Sequence, residues 1–167
     1  DLTASIYTFE ELIKGNYLYI DKTEFIWKLI RPYKGIYFMS RPRRFGKSLT
    51  VSTLKAIFQG RKDLFEGLAI HNKPYDWKMY PVIHLDMGNC TAKTADDLEI
   101  FLYDILSAIA ALFGTKLRGQ SNAMRFECLI TDISSAANAP VVILLDEYDK
   151  PILNTIATAE SKGCRDV

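Results

Sequence analysis

The fold of this chain is decided by residues 41–48, which read Arg41-Pro42-Arg43-Arg44-Phe45-Gly46-Lys47-Ser48. An apolar run at residues 35–39 precedes them and predicts a strand, and the run that begins at Leu49 predicts a helix. A strand, a loop ending in Gly-Lys-Ser and a helix form the layout of a phosphate-binding loop, whose backbone N–H groups face the phosphates. We expect Lys47 to reach the outer phosphates and the Ser48 hydroxyl to ligate Mg²⁺.

A second motif supports this interpretation, because Arg41 stands where the GxxxxGK[ST] pattern has its first glycine. The unbroken apolar run 141–145 ends in Asp146-Glu147 and predicts a parallel strand buried on both faces. Open α/β sheets bind their ligands at the carboxyl ends of such strands. We therefore expect Asp146 to hold Mg²⁺, directly or through water, as a Walker B aspartate does. Glu147 is expected to orient and deprotonate an attacking water.

Composition excludes several classes of protein. The chain has 167 residues, 49% hydrophobic and 25% charged, which is enough for one globular domain. A net charge of +1 gives no overall field that would attract nucleic acid or anionic lipid. No signal peptide is visible, no apolar run reaches the ~20 residues of a membrane span, and the three cysteines form no CxxC pair. These observations predict a cytoplasmic protein without membrane contact.

Alternating elements predict the fold class. After the phosphate-binding loop and its helix come a strand at 81–87, helices at 94–113 and 122–137, and the strand that ends at Asp146. This order predicts an α/β fold, a P-loop NTPase of three layers (α/β/α) with a mainly parallel sheet. Since we predict only three strands, we expect an N-terminal portion of the core, with a strand edge or an apolar patch exposed.

The predicted domain organisation has three parts. Residues 1–34 are predicted to form a helical and extended arm packed on the core, and residues 35–153 the P-loop core, with its Walker A and Walker B motifs at 41–48 and 141–147. Residues 154–167 are predicted to be a tail or the start of a further segment.

Residues 41–48 resemble the bacterial AAA-ATPase-like proteins whose loop reads RPRRFGK[ST]L, in which arginine at the first position is normal. The resemblance extends, in the same order, to residues 19–26, 64–68, 80–83 and 144–151. It implies a domain of the additional-strand, catalytic-glutamate class that binds ATP with Mg²⁺. Members of the family commonly continue into the rest of the core and a PD-(D/E)XK nuclease-like domain, so it also implies an attached C-terminal domain. Asp149 and Lys150 are adjacent and do not form the nuclease motif.

The predicted site combines both motifs. Its residues are Glu147 and Lys47 for catalysis, Arg43, Arg44, Phe45, Gly46, Lys47, Ser48 and Leu49 for ATP, and Ser48 and Asp146 for the metal. Arg41, Arg43 and Arg44 have two possible roles: they contact the phosphates, or their side chains are simply solvated. For Glu147, the alternatives are a solvated carboxylate at a strand end and a residue of the second metal shell without base function.

Three functions compete. The first is an ATPase whose hydrolysis drives a conformational change in an attached domain or partner, and Glu147 favours it. The second is a nucleotide-binding switch with little turnover. The third is a nucleic-acid-binding protein that uses the basic loop, which the balanced net charge disfavours. We expect Tyr37 and Phe38 to lie in the core and Asp21 to cap a helix, while the oligomeric state stays open.

Overall fold

A computed structural model of the chain describes residues 8–32, 35–40 and 45–155. The packing divides the chain into two compact units, Asp1–Tyr80 and Pro81–Val167. The division falls inside the range 35–153, so the ATPase core predicted for that range stays a prediction. Each unit is described by itself.

The described part of the first unit is helical. Its elements are α1 (Phe9–Lys14), α2 (Thr23–Ile30), α3 (Lys47–Phe58) and two 3₁₀ turns, Lys62–Phe65 and Ala69–Asn72. Helix α1 begins where the Thr8 side chain accepts a hydrogen bond from the Glu11 N–H.

An aromatic core joins α1 to the elements that follow α3. Phe9 and Phe65 are fully buried and stack with ring centroids 4.7 Å apart, and Tyr19 meets Phe9 edge-on at 5.2 Å. The Phe9 N–H also donates to the Ser52 hydroxyl on α3 at 2.9 Å. The position of α3, which begins at Lys47, is therefore fixed from the side of α1.

Two polar residues anchor α2. The Asp21 carboxylate accepts hydrogen bonds from the Thr23 N–H (2.8 Å), the Thr23 hydroxyl (2.7 Å) and the Ala69 N–H (2.7 Å). Thr23 is fully buried, and its hydroxyl accepts in turn from the Ile70 N–H at 3.0 Å. The N-cap of α2 is Lys22, whose side chain makes no cap hydrogen bond, so Asp21 lies one residue before the cap position. From there its carboxylate accepts the first N–H of α2 and holds the second 3₁₀ turn against this helix.

The second unit alternates strands and helices. Its elements are β1 (Val82–Asp86), α4 (Ala95–Leu112), α5 (Asn122–Ala137), β2 (Val142–Asp146) and α6 (Lys150–Thr155). These bounds agree closely with the predicted helices and with two of the three predicted strands. Thr94 and Asp97 form a reciprocal capping box at the start of α4, and left-handed Asn138 ends α5.

Among the described residues the sheet has two parallel strands. Their register pairs Val82 with Val142 and runs to Asp86 opposite Asp146. Ile83 and Leu85 of β1 are buried under the two long helices, with Leu106 of α4 and Leu129 of α5 in the same core cluster. A mixed α/β architecture with a parallel sheet is therefore present, while the full three-layer arrangement stays a prediction.

Two predictions about strands are wrong. Residues 35–40 form no regular secondary structure, and Ile36, Tyr37 and Phe38 are 103%, 54% and 73% exposed, so Tyr37 and Phe38 do not lie in the core. An apolar sequence becomes a strand only where a neighbouring strand offers a ladder of hydrogen bonds, and no described strand pairs with this segment.

The strand β2 is not buried on both faces as predicted. Ile143 and Leu145 are 44% and 46% exposed. They share a sheet face with their register partners Ile83 and Leu85, but α4 and α5 cover that face mainly over β1. The expected exposed apolar patch therefore lies on β2 in this segment.

We predict that Thr23→Val destabilises the first unit by about 1–3 kcal/mol, because the buried Ile70 N–H loses its acceptor while the side-chain volume is kept. Urea unfolding measures the change. The matched control is Thr131→Val, whose hydroxyl donates to the Glu127 carbonyl on an exposed helix surface and should change stability by less than about 0.5 kcal/mol. Equal effects of the two substitutions would contradict the role of Thr23.

We also predict a pH dependence for Asp21. Burial raises the pKa of its carboxyl, but the hydrogen bonds from Thr23 and from the Ala69 N–H outweigh burial, so the pKa lies below its usual value. A lowered pKa in the folded state stabilises the protein above the unfolded pKa of about 3.9, and this contribution is lost as the pH falls through the folded pKa. The stability difference between the wild type and Asp21→Asn should therefore be constant from about pH 5 to 8 and shrink below about pH 4.

Urea titrations at a series of pH values test the Asp21 prediction. The control is Asp76→Asn, an exposed carboxylate in the same unit that accepts one hydrogen bond from the Lys78 N–H. A difference for Asp21→Asn that persists unchanged at pH 2 would show that the charge of Asp21 does not stabilise the fold.

Candidate functional site

The first half of the predicted site lies at the start of α3. Gly46 has a left-handed φ of 76°, which glycine adopts without the strain that a side chain would impose. Its carbonyl accepts the first helical hydrogen bond, from the Thr50 N–H at 2.9 Å, and also the Thr50 hydroxyl at 2.8 Å. Gly46 therefore turns the chain directly into a regular helix that begins at Lys47.

The N–H groups of Lys47, Ser48 and Leu49 have no acceptor within the helix. No side chain caps this end, and among the described residues no other acceptor contacts these three groups. Unpaired N–H groups and the positive end of the helix dipole make the start of a helix suitable for an anion such as phosphate.

The side chains at this helix start differ in exposure. Lys47 and Ser48 are half-buried, and Lys47 makes no ion pair with any residue in the described parts of the chain. Phe45 is 63% exposed, whereas Leu49 packs against the core of the first unit, which contains Phe9 and Phe65. Leu49 can therefore offer a ligand its N–H but not its side chain. Arg41, Arg43 and Arg44 lie outside the described residues.

The second half of the predicted site lies at the carboxyl end of β2. Asp146 is the last residue of the strand and is 7% exposed, and its Oδ1 accepts the Glu147 N–H at 3.0 Å. Glu147 follows with a φ of 52°, which is uncommon for a residue other than glycine. Its carbonyl accepts the Lys150 N–H at 2.9 Å, which leads into α6.

Further bonds hold this loop in place. The Met87 N–H donates to the Asp146 carbonyl at 3.0 Å, and the Asn154 side chain on α6 donates to the Cys90 carbonyl at 2.8 Å. Among the described residues, the buried Asp149 Oδ1 has no hydrogen-bond partner. The carboxyl end of β2 is thus bonded to the residue that follows β1, and α6 is bonded to the loop beyond it.

Sequence analysis did not single out Asp86. This residue ends β1, lies in register with Asp146 and is exposed, and its Oδ1 accepts the Gly88 N–H at 2.8 Å. The predicted strand runs to Met87, so the place of Asp86 at the end of β1 opposite Asp146 emerges only from the observed strand bounds and register.

The structure thus brings together Lys47 with Ser48, and Asp146 with Glu147 and Asp86. The two groups belong to different units. The described residues contain no group of three or more histidine, cysteine, aspartate or glutamate side chains placed to hold a metal ion. Asp146 and Ser48 each offer oxygen atoms, which are the ligands that Mg²⁺ prefers.

Two other features of the chain stand apart from the site. Cys90 and Cys128 are free thiols, and Cys90 is buried. Within residues 8–32, 35–40 and 45–155, no helix is long and apolar enough to cross a membrane.

Comparison with known proteins gives two matches. The family model described as "Predicted AAA-ATPase" matches residues 3–166. The chain is 39% identical over 161 residues to a protein of Azotobacter chroococcum mcd 1 named "Uncharacterized protein in vnfD 5'region", in an alignment that covers 95% of this chain and 31% of that protein. The chain therefore spans about a third of the length of this curated relative. No solved structure matches. On the family match across nearly its whole length, the chain belongs to the predicted AAA-ATPase family.

Proposed function

We propose that this chain is the nucleotide-binding part of an Mg²⁺-dependent ATPase, in which ATP hydrolysis drives a conformational change in an attached domain or a partner. The observation that carries the proposal is the start of α3, where left-handed Gly46 leads directly into Lys47 and into three N–H groups that have no acceptor among the described residues. This is the geometry that a phosphate chain requires.

Phosphate binding would use backbone and side chain together. The N–H groups of Lys47, Ser48 and Leu49 would donate to phosphate oxygens, and the Lys47 ammonium would neutralise charge on the outer phosphates. The half-buried position of Lys47 supports this role, since partial burial strengthens a charge–charge interaction relative to water. Arg43, Arg44 and Phe45 stay in the proposal as neighbours of the nucleotide.

Hydrolysis would use the Walker B end. Ser48 and Asp146 would hold Mg²⁺, which when bound neutralises charge on the β- and γ-phosphates. Glu147 would accept a hydrogen bond from the attacking water and take its proton. Its carboxylate makes no ion pair among the described residues, so it is available as a base.

The whole protein is proposed to contain more than this chain. We propose that residues 35–153 belong to the ATPase core and that residues 1–34 form an arm on it. The relative's additional length supports an attached domain as the element that hydrolysis moves.

We predict that Lys47→Ala lowers the affinity for Mg-ATP by roughly 10- to 100-fold, because a charged hydrogen bond worth about 1.5–3 kcal/mol is lost. Lys47→Arg should also fail, since a planar guanidinium does not replace a compact ammonium in a tight loop. Calorimetric titration measures both variants. The control is Lys55→Ala on the same helix, which should bind as the wild type does. Unchanged affinity in Lys47→Ala would remove the basis of the phosphate-binding assignment.

We predict that Glu147→Gln keeps nucleotide binding but lowers turnover by about 10²–10⁴-fold, because an amide can orient water but cannot accept its proton. The measurements are steady-state phosphate release and ATP affinity for the full-length protein. Glu127→Gln, an exposed carboxylate on α5, is the matched control and should leave both unchanged.

The outcome separates two functions. Equal turnover in the wild type and Glu147→Gln would exclude Glu147 as the base. A wild type that binds ATP without measurable turnover would favour the alternative, a nucleotide-binding switch.

A further inference from the structure

Helix α4 carries apolar side chains that the core of the second unit does not bury. Ile100 and Leu112 are 62% and 80% exposed. Tyr103 on the same helix is 45% exposed, but the Arg125 guanidinium stacks over its ring at 4.9 Å and accounts for its position. A single exposed aliphatic side chain is ordinary on a protein surface, so the surroundings of Ile100 and Leu112 decide whether they matter.

Two concave pockets lie along one side of α4, and each contains one of these side chains. The first has a volume of about 350 Å³ and includes Ile100, and the second has a volume of about 250 Å³ and includes Leu112. Residues three and four apart share a face of a helix, so the helical linings of the two pockets form one stripe, which contains Phe101, Asp104, Ala108 and Leu112. We name this stripe with its two pockets the α4 groove. From Ile100 to Leu112 it extends for about 18 Å along the helix axis.

The α4 groove is acidic as well as apolar. Residues 81–115 contain five carboxylates and, histidine aside, one basic side chain, that of Lys93. Asp104 lies within the stripe, is exposed and makes no ion pair among the described residues. Asp97, which also caps α4, lines the first pocket, and Asp86 lines the second. Apolar side chains flanked by negative charge are complementary to a segment that is both apolar and positively charged.

We propose that the α4 groove binds a basic amphipathic helix of another protein, with aliphatic side chains in the two pockets and a lysine or arginine beside Asp104. A helix fits this surface because rows of side chains on one helix pack into the grooves between the rows of another. Amphipathic helices bind to apolar grooves through side chains with the same three- and four-residue spacing.

A second copy of this chain does not supply the complementary charge through the same surface. Helix α4 contains four carboxylates and no lysine, arginine or histidine. A symmetric dimer through this face would therefore bring like charges together. The proposal is also separate from the proposed ATPase function, because none of the residues assigned to ATP or Mg²⁺ lines the α4 groove.

The test uses the full-length protein without nucleotide and a fluorescein-labelled synthetic helix of leucine and lysine, with the leucines on one face. Fluorescence anisotropy measures the dissociation constant. Asp104→Lys should weaken binding by roughly tenfold, because the reversed charge replaces an attraction with a repulsion. Leu112→Ser should also weaken it by roughly tenfold, because an apolar anchor is lost. The matched control is Glu127→Lys, which reverses an exposed charge on α5 and should bind as the wild type does.

A second variant guards against misfolding. Asp104→Asn keeps the shape of the side chain and should weaken binding by roughly threefold, so the effect of the charge stays measurable if Asp104→Lys does not fold. A peptide in which glutamate replaces every lysine should not bind.

Three results would overturn the proposal. They are the absence of measurable binding by the wild type, equal binding by the wild type, Asp104→Lys and Leu112→Ser, and equal binding of the lysine and glutamate peptides. Light scattering that shows a dimer of the full-length protein, lost in Leu112→Ser, would identify a second copy as the occupant and would also overturn it.

Discussion

The parallel pairing of β1 with β2 is the constraint on which the second unit depends. Parallel strands cannot be joined by a tight turn, so the chain between them must cross over, and it does so through α4 and α5. Those helices cover the buried β1 residues Ile83 and Leu85, which gives this unit its core. The same pairing sets the carboxyl ends of both strands at one edge. Core packing and the position of Asp86 and Asp146 are therefore consequences of one set of backbone hydrogen bonds.

In the first unit the start of α3 is positioned by helix contacts, since the described part of this unit has no sheet. Phe9 is buried against Phe65, and its N–H donates to Ser52 on α3. Full burial of a phenylalanine side chain stabilises a fold by about 1.5–3 kcal/mol. Burial of Phe9 therefore holds α1 in place, and the hydrogen bond from the Phe9 N–H links α1 to α3. The turn at Gly46 then decides where α3 begins and leaves its first N–H groups unpaired. The apolar contacts position the helix, and the glycine positions its polar end.

Local patterns made most helices and two strands predictable. The capping box at Thr94, the periodic apolar residues of α5 and the continuous apolar run before Asp146 each act within a short stretch of chain, so sequence reveals them. Residues 35–40 and the exposed face of β2 were mispredicted because both depend on neighbours distant in sequence. The site shows the same limit. Lys47, Ser48, Asp146 and Glu147 are proposed as site residues from their motifs, whereas the place of Asp86 opposite Asp146 follows from the register between strands, which composition and periodicity do not define.

The backbone at Glu147 links the fold to the chemistry proposed for it. A left-handed φ in a residue other than glycine costs roughly 1–3 kcal/mol and persists only where surrounding contacts enforce it. Here the Glu147 N–H donates to Asp146 Oδ1, and the Glu147 carbonyl accepts from the Lys150 N–H. Hydrogen bonds therefore fix both backbone polar groups of the strained residue. The strain ends β2 immediately after Asp146. Two carboxylates adjacent in sequence are thereby given different environments, since Asp146 is buried and has one oxygen engaged, while Glu147 is half-buried beyond the strand. Different environments are compatible with the two roles proposed above, a metal ligand for Asp146 and a proton acceptor for Glu147.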